Sequence, residues 1–169
     1  MKRHTCLAPF TVALLAGCAS FSGLEPATPP DYTGPTINVA DQAAQVSGQL
    51  LHVFEVTQVD GRRLATTSMA TVRANQGRGF AVSPVALTNE LPVRPTRLRL
   101  QATTQYAAPI LAMTNPTCRA EGDVAFTPEA GKAYRVAGRI AAEACEAWIE
   151  DLATKQPVTG KVSGKGTKS

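Results

Sequence analysis

The reactive inventory of this 169-residue chain is short, and its four cysteines dominate it. A thiol is at once a nucleophile, a metal ligand and half of a disulfide, so the position of each one matters. Cys18 stands directly after Leu15-Ala16-Gly17, where an apolar run opened by Lys2, Arg3 and His4 comes to its close. A short basic start, an apolar stretch over residues 7–15 and small residues before a cut are the parts of a secretory signal peptide. His4 and Cys6 leave with that leader, and His52 is then the sole histidine. It falls inside an apolar stretch, where a packed histidine is the ordinary outcome and a catalytic base the rarer one. The densest carboxylate cluster is Glu143, Glu146, Glu150 and Asp151. The chain holds no G-x-S-x-G, no H-E-x-x-H and no phosphate-cradling glycine loop. No residue is assigned a catalytic, cofactor-binding or metal-ligating role, and the expectation is a protein that is not an enzyme.

Leu-Ala-Gly-Cys resembles the lipobox of bacterial lipoproteins. That resemblance implies alkylation of the Cys18 thiol by a diacylglycerol, cleavage before Cys18 and acylation of the new amino group. Several acyl chains hold a protein on a membrane where one does not. The alternatives are a plain cleaved leader with an incidental cysteine, or a transmembrane helix. The second is disfavoured because a bilayer core of roughly 30 Å needs ~20 apolar residues. In the lipoprotein family an Asp directly after the lipidated Cys marks retention in the inner membrane. Ala19 and Ser20 follow here, so the resemblance implies the periplasmic face of the outer membrane. With Cys6 removed and Cys18 lipidated, Cys118 and Cys145 are the pair left in an oxidising compartment, and a disulfide is expected between them. Their Cα atoms should lie within ~7 Å. The 27-residue loop so closed contributes roughly 3 to 4 kcal/mol in the chain-entropy picture. Two cysteines at that spacing without a companion histidine make neither a zinc site nor a C-x-x-C motif.

These residues must be positioned by one domain. Residues 18–169 number 152, enough for one core. The leader takes Lys2 and Arg3, leaving 15 basic against 13 acidic residues and a net charge of +2. Without a basic stripe, a nucleic-acid partner is excluded. Residues 18–44 carry Pro26, Pro29, Pro30 and Pro35 and read as an extended or disordered tether of up to ~80 Å. A domain over residues 45–158 follows, and residues 159–169, with glycines among lysines, read as a disordered basic tail.

Within the domain, residues 46–57 read as a strand covered on both faces, with Phe54 and Val56 on one and Leu51 and Val53 on the other. Asp60-Gly61 supplies a turn, and further short strands are expected over residues 66–74 and 80–83. Pro84, Pro92 and Pro95 bracket a segment that cannot be a central strand. Residues 96–103 alternate cleanly, with Leu98, Leu100 and Ala102 inward and Arg97, Arg99 and Gln101 outward. The arginine row suits a solvated outer face whose stems lie over apolar surface.

Residues 140–152 are rich in Ala and Glu, and propensity alone favours a helix. A hairpin explains more of them. A register with Arg135 opposite Glu150 and Arg139 opposite Glu146 also stacks Val136 on Ile149, Gly138 on Ala147 and Ile140 on Cys145. Phe126, then Gly131-Lys132-Ala133-Tyr134, then Trp148-Ile149-Glu150-Asp151 resembles the C-terminal pattern of small, functionally uncharacterised lipoproteins of Gram-negative bacteria with compact β-sandwich domains. The expected fold is all-β: a single antiparallel β-sandwich, immunoglobulin-like or transthyretin-like, behind the tether. The expected function is a lipid-anchored structural or docking component of an envelope assembly. The alternative is a periplasmic ligand-binding or enzyme-inhibitor lipoprotein. The expected partners are the membrane, through acyl chains on Cys18, and an envelope protein.

Overall fold

The computed structural model describes residues 23–141 and 143–167; Cys18 and the leader lie outside them. Ten strands and two short helices follow one another as β1 (Thr36–Ala40), β2 (Gln42–Ser47), β3 (Leu50–Val59), β4 (Arg62–Arg63), α1 (Thr67–Ala74), β5 (Thr88–Pro92), β6 (Thr96–Tyr106), α2 (Pro109–Thr114), β7 (Thr117–Phe126), β8 (Tyr134–Ile140), β9 (Ala144–Asp151) and β10 (Val162–Thr167). The protein is all-β in class. Its strands form one curled sheet in the order β2-β3-β6-β7-β10-β9-β8-β1-β5, with β4 paired to β3. β1 and β2 are halves of one strand broken at Asp41, the first pairing with β8 and the second with β3. Chain continuity therefore joins distant parts of the path. The expectation of purely antiparallel pairing is corrected at β1–β8, which run parallel through Val39↔Tyr134 and Ala40↔Arg135.

Alternation builds the core. Val39, Phe54, Val56, Leu98, Leu100, Val136 and Ile149 face one another inside the curl. A side chain of this size stabilises the fold by roughly 1.5 to 3 kcal/mol when fully buried. The opposite face of β3 is also covered, as expected: Leu51 and Val53 pack with Val82 in a second, smaller cluster. The β8–β9 register has each predicted pair, from Arg135↔Glu150 to Ile140↔Cys145. Cys118 and Cys145 are disulfide-bonded, with Cα atoms 6.1 Å apart. The Asp60-Gly61 turn holds positive φ at both residues, 50° and 82°, the geometry that a two-residue hairpin turn requires.

Five expectations fail for physical reasons. The ordered domain begins well before residue 45, since Ala27 is buried and β1 and the start of β2 lie within residues 18–44. Ile37 and Val39 alternate inward there, a strand too short to stand out among prolines. The strand expected over residues 46–57 instead spans a turn at Gly48-Gln49, flanked by Ser47↔Leu50. Where a strand is expected over residues 66–74, Thr67–Ala74 form α1 with Thr66 as its cap, and residues 80–83 form no strand. The expectation of a disordered tail fails over its described residues: Val162–Thr167 is β10, paired to β9 and at its end to β7.

Candidate functional site

α1 lies over the outer face of the sheet, where three polar residues hold it. Thr67, Thr71 and Asn75 fall at successive turns on one helix face. The Leu87 N–H donates to Thr67 Oγ1 at 3.0 Å and the Val85 N–H to Thr71 Oγ1 at 3.1 Å. The Asn75 amide donates to the Ser83 carbonyl and accepts from the Ser83 N–H, both at 2.8 Å. One helix face thus satisfies an extended segment as a neighbouring strand would. The Thr66 side chain caps the helix by accepting from the Met69 N–H.

Two buried carboxylates fix this helix to the sheet. Asp41, at the break between β1 and β2, accepts from the Val56 N–H at 3.0 Å, the Thr67 hydroxyl at 2.8 Å and the Asn89 amide at 3.2 Å. Burial pushes its pKa up to about 7, with the nearby Glu55 charge acting the same way, and the bonds from Thr67 and Val56 resist. Glu55, only 1% exposed, accepts from the Ser68 N–H and hydroxyl, each at 2.7 Å, and from the Gln101 amide at 3.0 Å. Burial raises its pKa as well, against those bonds and the positive charge of Arg119.

Between α1 and the outer face of β6 and β7 runs a groove of about 990 Å³. Its helix wall presents Met69, Val72 and Arg73, with Leu24, Ala65 and Leu87 also among the lining residues. Its floor presents the amides of Gln101 and Gln105 and the hydroxyl of Thr103, with Arg119 of β7 beside them. The Gln105 amide donates to the Ser68 carbonyl at 3.3 Å. Gln105 Oε1, although buried, has no hydrogen-bond partner. A buried amide oxygen in that state is costly, and a ligand N–H would relieve it. None of the lining residues is aromatic.

The residues singled out in the sequence lie elsewhere. Cys18 lies outside the described residues. His52 sits in a smaller cleft with Tyr106, Pro116, Cys118 and Ile140, a lining that contains no carboxylate; burial lowers its pKa. Of the carboxylate cluster, Glu150 bonds Arg135 at 2.7 Å and Glu146 bonds Lys161 at 3.2 Å. Asp151 accepts from the N–H groups of Ala153 and Thr154. Arg139 lies opposite Glu146 in register, but it is Lys161 that reaches that carboxylate. On the outer face of the sheet, Arg99 of β6 bonds Asp123 of β7 at 2.9 Å, and Arg119 bonds Glu121 within β7 at 2.9 Å.

The sequence hides the groove because the β-branched residues of its helix wall, Thr67, Thr71 and Val72, favour a strand. The signal was present in Thr67, Thr71 and Asn75, spaced four apart, which is helical spacing for a polar face. Among the described residues there is no group of three or more His, Cys, Asp or Glu able to hold a metal ion, and no helix long and apolar enough to cross a membrane. Comparison of the chain with protein-family models, curated proteins and solved structures finds no match.

Proposed function

We propose that this protein is a non-catalytic binding module, held by acyl chains on Cys18 at the periplasmic face of the outer membrane, whose groove takes an extended peptide segment of an envelope protein. The observation that carries this reading is the groove itself: concave surface favours capture of a ligand over service as a flat scaffold. Its chemistry suits a peptide. An apolar wall at Met69 and Val72 accepts side chains, a floor of amides and the Thr103 hydroxyl faces peptide groups, and Arg73 attracts a carboxylate. A glycan is served less well, since the lining offers no aromatic face for a sugar ring. The anchor follows from the Leu-Ala-Gly-Cys resemblance. The path of the chain is fixed from Gly23 onward, so the domain sits within about 18 Å of Cys18 rather than at the end of a long tether.

Selection from a displayed library of extended peptides tests the groove. Val72 is 58% exposed, so Val72→Trp fills the groove without disturbing the core. Selected peptides should bind the Val72→Trp variant at least about tenfold more weakly, a loss of roughly 1.4 kcal/mol. Peptides indifferent to Val72→Trp, or a selection that yields none, would remove the groove from the account.

A further inference from the structure

One end of the sheet gathers apolar residues that the domain does not bury. The β2–β3 turn meets the segment after α1 through the Val82 N–H, which donates to the Gly48 carbonyl, and meets the segment after β6 through the Ala107 N–H, which donates to the Gln49 carbonyl. The Tyr106 hydroxyl donates to the Pro116 carbonyl, and the β8–β9 turn closes beside it at Ile140. At this end Val46, Phe80, Ile110 and Met113 are 53, 56, 53 and 76% exposed. α2 is the sharpest case. It is six residues of mostly apolar sequence, begins with a proline, has no side-chain cap and buries no residue. Short helices owe their stability to packing of an apolar face, and here the domain supplies little for α2 to pack on.

The charges around this end are one-sided. Arg78 on the segment leading to Phe80, Arg139 at the end of β8 and Lys165 on β10 are exposed and have no ion pair among the described residues. Glu143 is the carboxylate of the adjoining turn. We propose that this end docks on the bilayer, with Phe80, Ile110 and Met113 entering the interface and Arg78, Arg139 and Lys165 resting on anionic phospholipid headgroups. Apolar projections within a cationic collar bind such surfaces through burial and charge together. The chain enters the domain beside Arg63, whose carbonyl accepts from the Glu25 N–H at 2.7 Å, so the proposed anchor attaches nearer the other end of the sheet. The docking surface itself does not rest on that anchor, and the test below reads it directly.

Tryptophan placed at the tip reports the contact. Full-length Phe80→Trp and Met113→Trp proteins are mixed with vesicles of phosphatidylcholine and phosphatidylglycerol carrying brominated acyl chains. The native Trp148, on the outer face of β9, serves as internal control. The added emission should shift to the blue and fall by roughly half, while emission of the parent protein hardly changes. Vesicles of phosphatidylcholine alone, or the Arg78→Glu/Arg139→Glu/Lys165→Glu variant, should bind several-fold more weakly. Tip tryptophans quenched no more than Trp148 would overturn the proposal and favour a protein partner for this end. Equal binding to neutral and anionic vesicles would overturn the role of the cationic collar.

Discussion

At the end of the sheet that carries the Asp60-Gly61 turn, Arg94 reaches Asp60 at 3.0 Å, and Lys132 lies 2.8 Å from Glu129 and 3.7 Å from Asp151. Arg97 and Arg99 both face Asp123. At the other end Arg78, Arg139 and Lys165 have no ion pair among the described residues, beside four exposed apolar side chains. Both ends are made of turns joining the same strands, so topology does not account for the contrast. Arg63 and Lys155 at the first end are likewise exposed and without an ion pair among the described residues, so the ends differ less in charge than in the number of exposed apolar side chains. The second end leaves that apolar area in water, and an interface is what recovers it.

The bonded cysteines join strands at the apolar end, and their loss should separate the two ends most strongly. Cys118→Ala is expected to cost roughly 2 to 5 kcal/mol, the range for native bridges in small secreted domains. Urea unfolding gives the total. Amide exchange should show residues 106–117 loosening first and the Asp60-Gly61 end retaining its protection. Uniform loosening would mean that the ends are not separate cooperative units.

Asp41 acts between the ends, at the break in β1–β2. Its pKa is raised from 3.8 to about 7, so between those values the folded chain holds a proton that the unfolded chain has released. Stability therefore falls as pH rises through that window and levels above it. Asp41→Asn should abolish this part of the fall, which amounts to at most roughly 4 kcal/mol. Denaturation midpoints at pH 4.5 and 8 measure it, and parallel pH profiles for the two proteins would show that the three donors keep Asp41 ionised throughout. The smallest effect belongs to the paired end. Arg94→Ala should cost about 0 to 1 kcal/mol, since both partners are part-exposed; a larger loss in urea unfolding would show that end to be more than solvated surface.

Legibility from sequence divides along the same lines. Strong alternation exposed β6, and paired charges with stacked apolar residues specified the β8–β9 register down to Arg135↔Glu150. Cysteine counting found the bridge. Glycine and proline misled, because their meaning depends on what lies opposite. Gly164 looked like part of a disordered tail, yet a Cβ there would fall 2.0 Å from the Arg119 carbonyl oxygen, so glycine is what lets β10 cross β7. The groove escaped notice for a related reason. Thr67 and Thr71 carry β-branched side chains that favour strands, but their hydroxyls bond a segment 14 to 20 residues away. Asp41 and Glu55 gave no local signal, since both depend on donors brought by α1.

Amide hydrogen exchange on the full-length protein, with and without phosphatidylglycerol vesicles, tests the contrast between the ends most directly. Exchange should slow over residues 77–82 and 106–116 and stay unchanged over residues 58–62, 128–133 and 151–157. Protection confined to the second group, or no difference between the groups, would contradict the assignment of the apolar end to the membrane.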